Sequence, residues 1–290
     1  MTPHSPTPSL AFVTPSYPPD LERCALLVES LARFGPSYNH YIIVDRADRA
    51  VFAPLAGPRT ILIDAEAIID ARFIRIPWRG STWYHWRALP MRGWISQQVY
   101  KLAAIKAVPE DVLVMTDSDT TFVRPFATDD FMIDGKVGLL DVDHVAGKVP
   151  VWSAVAARML GLSQVPSLRG HVGNLIAWHR NHITALHAHI EQATGLPWQI
   201  AIARQRTFSE YILYGIFVRQ VLGYPASHHA PSTRALVKQP WDHDLTTNAG
   251  LKTYIETLEP DNIAVMIHSK DGLPASAARP HFEAAFARHD

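Results

Sequence analysis

Short, almost unbroken apolar runs recur along the chain and set its fold class. LAFVT (10–14), HYIIV (40–44), TILI (60–63) and VLVM (112–115) each hold four or five residues with little apolar–polar alternation. Runs of that length are too short for helices and read as strands buried on both faces. Between the first two, residues 20–34 place Leu21, Cys24, Ala25, Val28 and Leu31 at helical spacing, with Asp20 as N-cap and Gly35-Pro36 as the stop. This strand–helix–strand rhythm predicts an α/β chain, with a mostly parallel, Rossmann-like central sheet flanked by helices. Residues 137–140 and 263–267 (IAVMI) read as further strands, and 95–108, 154–160, 182–194 and 208–222 as helices.

Composition narrows the class. With 290 residues, 48% of them hydrophobic, the chain can bury a large core, and residues 1–290 read as one catalytic domain with a flexible start (1–8) and a C-terminal tail or helix (273–290). Lysine plus arginine and aspartate plus glutamate balance at 27 each, which argues against a general nucleic-acid binder. The single cysteine, Cys24, excludes an internal disulfide framework and fits a reducing, cytoplasmic setting. The Pro/Ser/Thr-rich start does not look like a signal peptide, and no run approaches the roughly 18 apolar residues of a membrane span, which leaves only peripheral membrane contact.

Three Asp-x-Asp pairs occur, at Asp117/Asp119, Asp141/Asp143 and Asp242/Asp244, and only context separates them. Asp117 directly follows VLVM, which places it at the carboxyl end of a central strand, where open α/β sheets bind ligands. Two carboxylates one residue apart on a sharp turn can offer oxygens to one hard cation while leaving sites for phosphate oxygens. The bland alternative is a strand-end Asx turn. Asp141/Asp143 also follows a strand and is the rival site, whereas Asp242/Asp244 reads as surface loop. His268, Ser269 and Lys270 follow IAVMI and bring an imidazole and an ammonium to another strand end, or else form a plain surface pair. Two carboxylates with an imidazole suit Mn²⁺ better than Ca²⁺.

Other segments have two readings. Gln97 and Lys101, four residues apart, share a helix face that either reaches a ribose and diphosphate or is simply solvated. The segment 171–174 (HVGN), with Gly173 and Asn174, is either a pocket-lining loop or a turn. Glu210 opens an apolar helix as a dipole partner or as a catalytic carboxylate. The Trp/Arg-rich segment 77–94 reads as a long loop whose Trp83, Trp86 and Arg87 either stack sugars or plug the sheet. Among the 15 histidines, His179/His182, His187/His189 and His228/His229 cluster without an HExxH pattern, which argues against a zinc hydrolase.

Taken together, VTPSY, GWISQQVYKLAA, VLVMTDSDTTFVRPF, HVGNLIAWHR, FSEYILYGIFV and IHSKDG resemble the nucleotide-diphospho-sugar transferase superfamily with the GT-A fold. Their order is similar to that of a bacterial glycosyltransferase-like family still labelled as a domain of unknown function. The resemblance spans roughly residues 9–272. It implies a glycosyltransferase that moves a sugar from a nucleoside-diphosphate sugar to an acceptor hydroxyl, in bacterial polysaccharide or glycoconjugate synthesis. It implies Mn²⁺ or Mg²⁺ on Asp117 and Asp119 with Ser118 between them, His268 as a late metal ligand and Lys270 as a phosphate contact. Thr14, Pro15 and Tyr17 would meet the nucleotide, and Asp45 the base or ribose. The segment IHSKDG departs from the family's longer HFxGxxKPW pattern, which weakens the case for His268. For an inverting reaction Glu210 is the first candidate base and Asp141 the second. The competing functions are a non-catalytic nucleotide-sugar or glycan-binding protein, and a sugar-1-phosphate nucleotidyltransferase. The latter calls for a Gly-rich basic loop where this chain has TPSYPPD.

Overall fold

The structure is a computed structural model that describes residues 7–76, 80, 82–143, 145, 147–241, 243–268 and 275–286. Five strands form the central sheet in the order Ile176–His179, Val112–Met115, Leu10–Pro15, Asn39–Val44 and Thr60–Asp64. The last four run parallel, and Ile176–His179 pairs antiparallel with Val112–Met115. The apolar runs thus form a mostly parallel sheet, as their burial on both faces requires.

The two-residue pleat sorts the core. Ala11, Val13, Leu113 and Met115 point into one apolar cluster, while Leu10, Phe12, Val112 and Val114 point into the other. The first face is covered by the helices Trp94–Ala103, Val149–Met159, Arg180–Thr194 and Glu210–Ile216. The second is covered by Leu21–Phe34, Asn248–Glu256 and Ala275–Phe286. Phe12 anchors that second face, meeting Tyr38, Phe122, Phe126 and Phe131 edge-to-face at centroid distances of 5.8, 5.5, 5.6 and 5.9 Å.

Pairing also decides what meets at the sheet's edge. Met115 lies opposite Ile176, so residues 171–175 stand beside the turn that follows Met115. Beyond that turn Thr120–Phe122 pairs antiparallel with Ala264–Met266, and Met266 opposite Thr120 carries residues 267 and 268 back to the same edge.

Several expected elements are redrawn. The helix expected at 95–108 spans Trp94–Ala103 and tightens into a 3₁₀ turn at Ala104–Lys106. The helix expected at 208–222 is α-helical at Glu210–Ile216 and continues as a π-helix at Phe217–Leu222. Segment 77–94 is less irregular than expected, because Trp83–Tyr84 pairs with Ile74–Arg75 and Trp83 bridges Met91. Asp20 is at the N-cap, but its side chain makes no capping bond. Lys270 and Asp242 lie outside the described residues.

Two stability predictions follow from this packing. Truncating Phe12 to alanine should cost about 3–5 kcal/mol in denaturant unfolding, the range for a large aromatic lost from a core; a loss under about 1 kcal/mol would contradict the hub. Burial holds the imidazoles of His40, His187 and His229 down to about 3 and His182 to about 4, against an ordinary 6.5. Neutral in the folded chain and protonated in the unfolded one, they contribute stability that is full above about pH 6.5 and fades as the pH falls toward 4. Asp119, pushed up to about 7, and the raised carboxyls of Asp20, Asp48 and Glu210 work in the opposite sense, while the lowered imidazoles of His171 and His179 add to the four. The melting temperature should therefore fall steadily as the pH drops below about 6.5; a flat profile down to about pH 5 would contradict this.

Candidate active site

The turn after Val112–Met115 is held from three sides. Thr116 N–H extends the sheet by donating to Val13 C=O at 3.0 Å. Asp117 N–H donates to Asn174 Oδ1 at 3.0 Å, and Ile267 N–H to Asp119 C=O at 3.0 Å. Asn174 also receives Leu175 N–H at 3.0 Å and donates its amide to Thr120 Oγ1. These bonds hold Leu175 in the left-handed region at φ 57°, a conformation that costs a branched residue about 1–3 kcal/mol. That strain is the local cost of setting the 171–175 loop against the acidic turn.

The first carboxylate of the turn has a buried partner. Lys101 Nζ lies 2.9 Å from Asp117 Oδ1, 3.2 Å from Glu210 Oε1 and 2.8 Å from the Tyr211 hydroxyl. Its side chain is 6% exposed, so it does not stand on a solvated helix face. Burial would neutralise the ammonium, but Asp117, Tyr211 and Glu210 more than offset it and hold its pKa well above the ordinary value. Burial raises the Glu210 carboxyl, and Lys101 pulls against that rise.

The second carboxylate has no such partner. Asp119 Oδ1 is buried without a hydrogen-bond partner, and burial, then the charges of Asp117 and Asp20, pushes the group up to about 7. Asp20 receives a 3.3 Å bond from Ser118 Oγ, and its own carboxyl is raised, chiefly by burial. An orphaned carboxylate oxygen beside two further carboxylates is chemistry that a hard divalent cation satisfies, so Asp117 and Asp119 fit such an ion. Among the described residues no three His, Cys, Asp or Glu side chains form a ready ligand set. His268 therefore lines the cleft without closing a triad with the two aspartates.

Around this edge lies a cleft of about 1240 Å³. Pro15, Tyr17, Asp45, Gln97, Ser118 and Gly173 line it, together with Lys101, Glu210, Asn174 and the Asp117/Asp119/His268 group. At one wall Asp45 is engaged by the Arg75 guanidinium and by the Tyr100 hydroxyl, which donates at 3.1 Å. Arg75 in turn lies 4.2 Å from the Trp83 ring centroid.

Two expected site residues are placed elsewhere. Thr14 is fully buried and bonded at 2.9 Å to His40, because the first strand's pleat turns it away from the cleft that Pro15 lines. Asp141 pairs with Arg169 at 2.5 Å and accepts from the Tyr224 hydroxyl at 2.6 Å; these bonds hold its carboxyl below the usual range despite burial. Leu140 and Val142 line the cleft and Asp141 does not, again through the pleat. Of the aromatic loop, Trp83 is buried and Trp86 is 88% exposed, and neither lines the cleft. Sequence reasoning missed Asp20, whose signal as an N-cap was ambiguous, Tyr100, whose place on the expected helix 95–108 resembles ordinary packing, and Trp152, which precedes the expected helix 154–160; Trp94 falls at the end of the 77–94 loop and is not singled out there.

The buried ammonium supplies a test. Lys101→Met should cost about 3–5 kcal/mol in chemical unfolding, because it strands buried Glu210. Lys101→Met/Glu210→Gln should recover part of the loss, giving a coupling above about 0.5 kcal/mol in a double-mutant cycle; strict additivity would contradict the pairing.

Residues 10–255 match a family described as "Family of unknown function (DUF6492)". A search of curated proteins finds no match. Among solved structures, the bifunctional glycosyltransferase WbbM in its apo form aligns with TM-score 0.53 at 10% identity, covering all of this chain (100%) and 53% of its own. An active-site mutant of LgtC aligns with TM-score 0.50 at 11% identity over 94% of this chain and 95% of its own. Mouse xyloside xylosyltransferase 1, also apo, aligns with TM-score 0.49 at 12% identity over 92% and 99%. The mostly parallel sheet flanked by helices is the fold of WbbM and LgtC, and these neighbours are GT-A-type glycosyltransferases.

Proposed function

We propose that this chain, which belongs to the family described as Family of unknown function (DUF6492), is a metal-dependent glycosyltransferase using a nucleoside-diphosphate sugar. One observation carries the reading. The Asp117-Ser118-Asp119 turn stands at the carboxyl edge of the sheet, facing a cleft of about 1240 Å³, with one buried carboxylate oxygen unpartnered. Asp117 and Asp119 would hold Mn²⁺ or Mg²⁺, which when bound supplies Lewis-acid stabilisation of the departing diphosphate.

The chain's own residues do the positioning. Pro15, Tyr17 and Asp45 form the wall at the ends of the first two strands, where the nucleoside would lie. Gly173 permits close approach of the 171–175 loop: a Cβ there would sit 3.0 Å from Leu140 and 3.1 Å from Ile176. Asn174 fixes the acidic turn through its backbone rather than by touching the donor. Lys101 balances Asp117 and Glu210 from the buried part of the cleft wall, which makes it a positioning residue. In the transfer the bond between the sugar's anomeric carbon and the diphosphate oxygen breaks, a bond from that carbon to the acceptor oxygen forms, and the hydroxyl proton passes to a base, either the Glu210 carboxylate or the departing diphosphate. Glu210, raised by burial yet part of the cleft wall, is the carboxylate placed to orient that hydroxyl.

The test is a thermal-shift panel of UDP, GDP, CDP, dTDP and ADP, each with Mn²⁺ or with EDTA, on the wild type and Asp119→Asn. One nucleotide should raise the melting temperature only with metal, by an amount worth about 2.7 kcal/mol at 100 times its dissociation constant. The shift should vanish in the variant. No response to any nucleotide from folded protein would overturn the proposal.

A further inference from the structure

The cleft also has a chemically different stretch of wall. Beside Asp20, Asp117 and Asp119 its lining includes Trp94, about two helical turns before Lys101 on the same helix, and Trp152; the two indoles meet at a centroid distance of 5.4 Å and 44° between ring planes. Trp83, Trp178 and Trp198 are buried, and Trp86, Trp94 and Trp241 are exposed; of the exposed three, Trp86 does not line the cleft and Trp241 stands beside His268, so Trp94, 45% exposed, is the one that lines the cleft against a second indole. The exposure is built in. Trp94 opens the helix Trp94–Ala103 directly after Gly93, whose φ of 52° sets the entry. Trp152 projects from a second helix, and its indole N–H donates to Thr207 Oγ1 at 3.0 Å. Two large rings held by two helices are a fixed surface rather than a mobile one.

The pair is also tied to the candidate catalytic carboxylate. The Gln98 side chain donates to Trp94 C=O at 3.3 Å and accepts Glu210 N–H at 2.9 Å. Thr207, the partner of Trp152, lies three residues before Glu210. The aromatic pair and the acidic turn are therefore both tied to the Glu210 segment: the first through Gln98 and Thr207, the second through Lys101. A volume of about 1240 Å³ also exceeds the roughly 300–1,000 Å³ of a typical single-ligand pocket, which leaves space beside a donor.

We infer that Trp94 and Trp152 form the acceptor subsite, and that the acceptor is a carbohydrate presenting a pyranose ring whose C–H face stacks on the exposed indole. A pyranose offers an apolar C–H face and a polar hydroxyl rim, which matches an indole surface beside the Gln97, Glu210 and Lys148 groups that line the same cleft. The exposed Trp241, its ring centroid 6.0 Å from that of His268, is not part of this platform. The inference rests on the glycosyltransferase reading for its name as an acceptor site, but the platform itself is a binding surface that can be read separately.

The test probes an array of immobilised oligosaccharides with the full chain, fluorophore-labelled, as wild type, Trp94→Ala and Trp94→Phe. The nucleotide thermal-shift panel is run on all three. Trp94 is exposed, so the substitutions leave the core intact. The wild type and Trp94→Phe should capture glycans sharing a terminal pyranose, and Trp94→Ala should bind them about tenfold or more weakly, while the nucleotide shift is unchanged in all three. Equal capture by Trp94→Ala, or no capture by a wild type that responds to nucleotide, would overturn the subsite and leave the donor reading standing. Trp94-dependent capture by a wild type with no nucleotide response would uphold the platform and overturn the glycosyltransferase reading.

Discussion

A buried ammonium organises the site. Lys101 sits deep in the cleft wall with three oxygens about it, from Asp117, Glu210 and Tyr211. Taking any one of these charges out of water alone would cost several kcal/mol, and the cluster is tolerable only as a set. The set crosses the fold: Lys101 lies on the helix before the central strand, Asp117 on the turn after it, and Glu210 on a helix far along the sequence. Satisfying one lysine therefore fixes three elements relative to each other. Within the acidic turn Lys101 pairs with Asp117; Asp119 and Asp20 are raised chiefly by burial, and Asp119 Oδ1 is left unpartnered.

The sheet makes that convergence possible. Parallel strands place their carboxyl ends on one edge, which brings Pro15, Asp45 and Asp117 to one cleft. The antiparallel strand Ile176–His179 adds the loop that precedes it, and Ala264–Met266 delivers His268. The pleat then selects among neighbours, admitting Pro15 and Val142 to the cleft wall and turning Thr14 and Asp141 into buried bonds.

This logic explains what could be read before any coordinates. Four short apolar runs dictated the parallel sheet, because a strand buried on both faces leaves no other pattern. The acidic turn was legible for the same reason, since its position follows from the strand before it. Facing was harder. Asp141 and Asp117 both follow strands, and a shift of one residue in the pleat separates an ion-paired core aspartate from a cleft aspartate. Helical spacing left Lys101 either reaching a diphosphate or solvated, and only the long-range approach of Glu210 and Tyr211 buries it. Asp20 read as a helix cap, yet its carboxylate bonds Ser118 instead. Trp94 and Trp152 are far apart in sequence and acquire meaning only as a pair.

The central claim is that Asp117 and Asp119 hold a divalent cation and, with it, a donor diphosphate. The most direct measurement is an anomalous difference map at the manganese edge, from crystals grown with Mn²⁺ and the nucleoside diphosphate that stabilises the chain. The account predicts one strong peak between the Asp117 and Asp119 carboxylates, with diphosphate density beside it. A peak at the stacked imidazoles of His179, His182 and His228 instead, or nucleotide density in the cleft with no metal at the acidic turn, would contradict it.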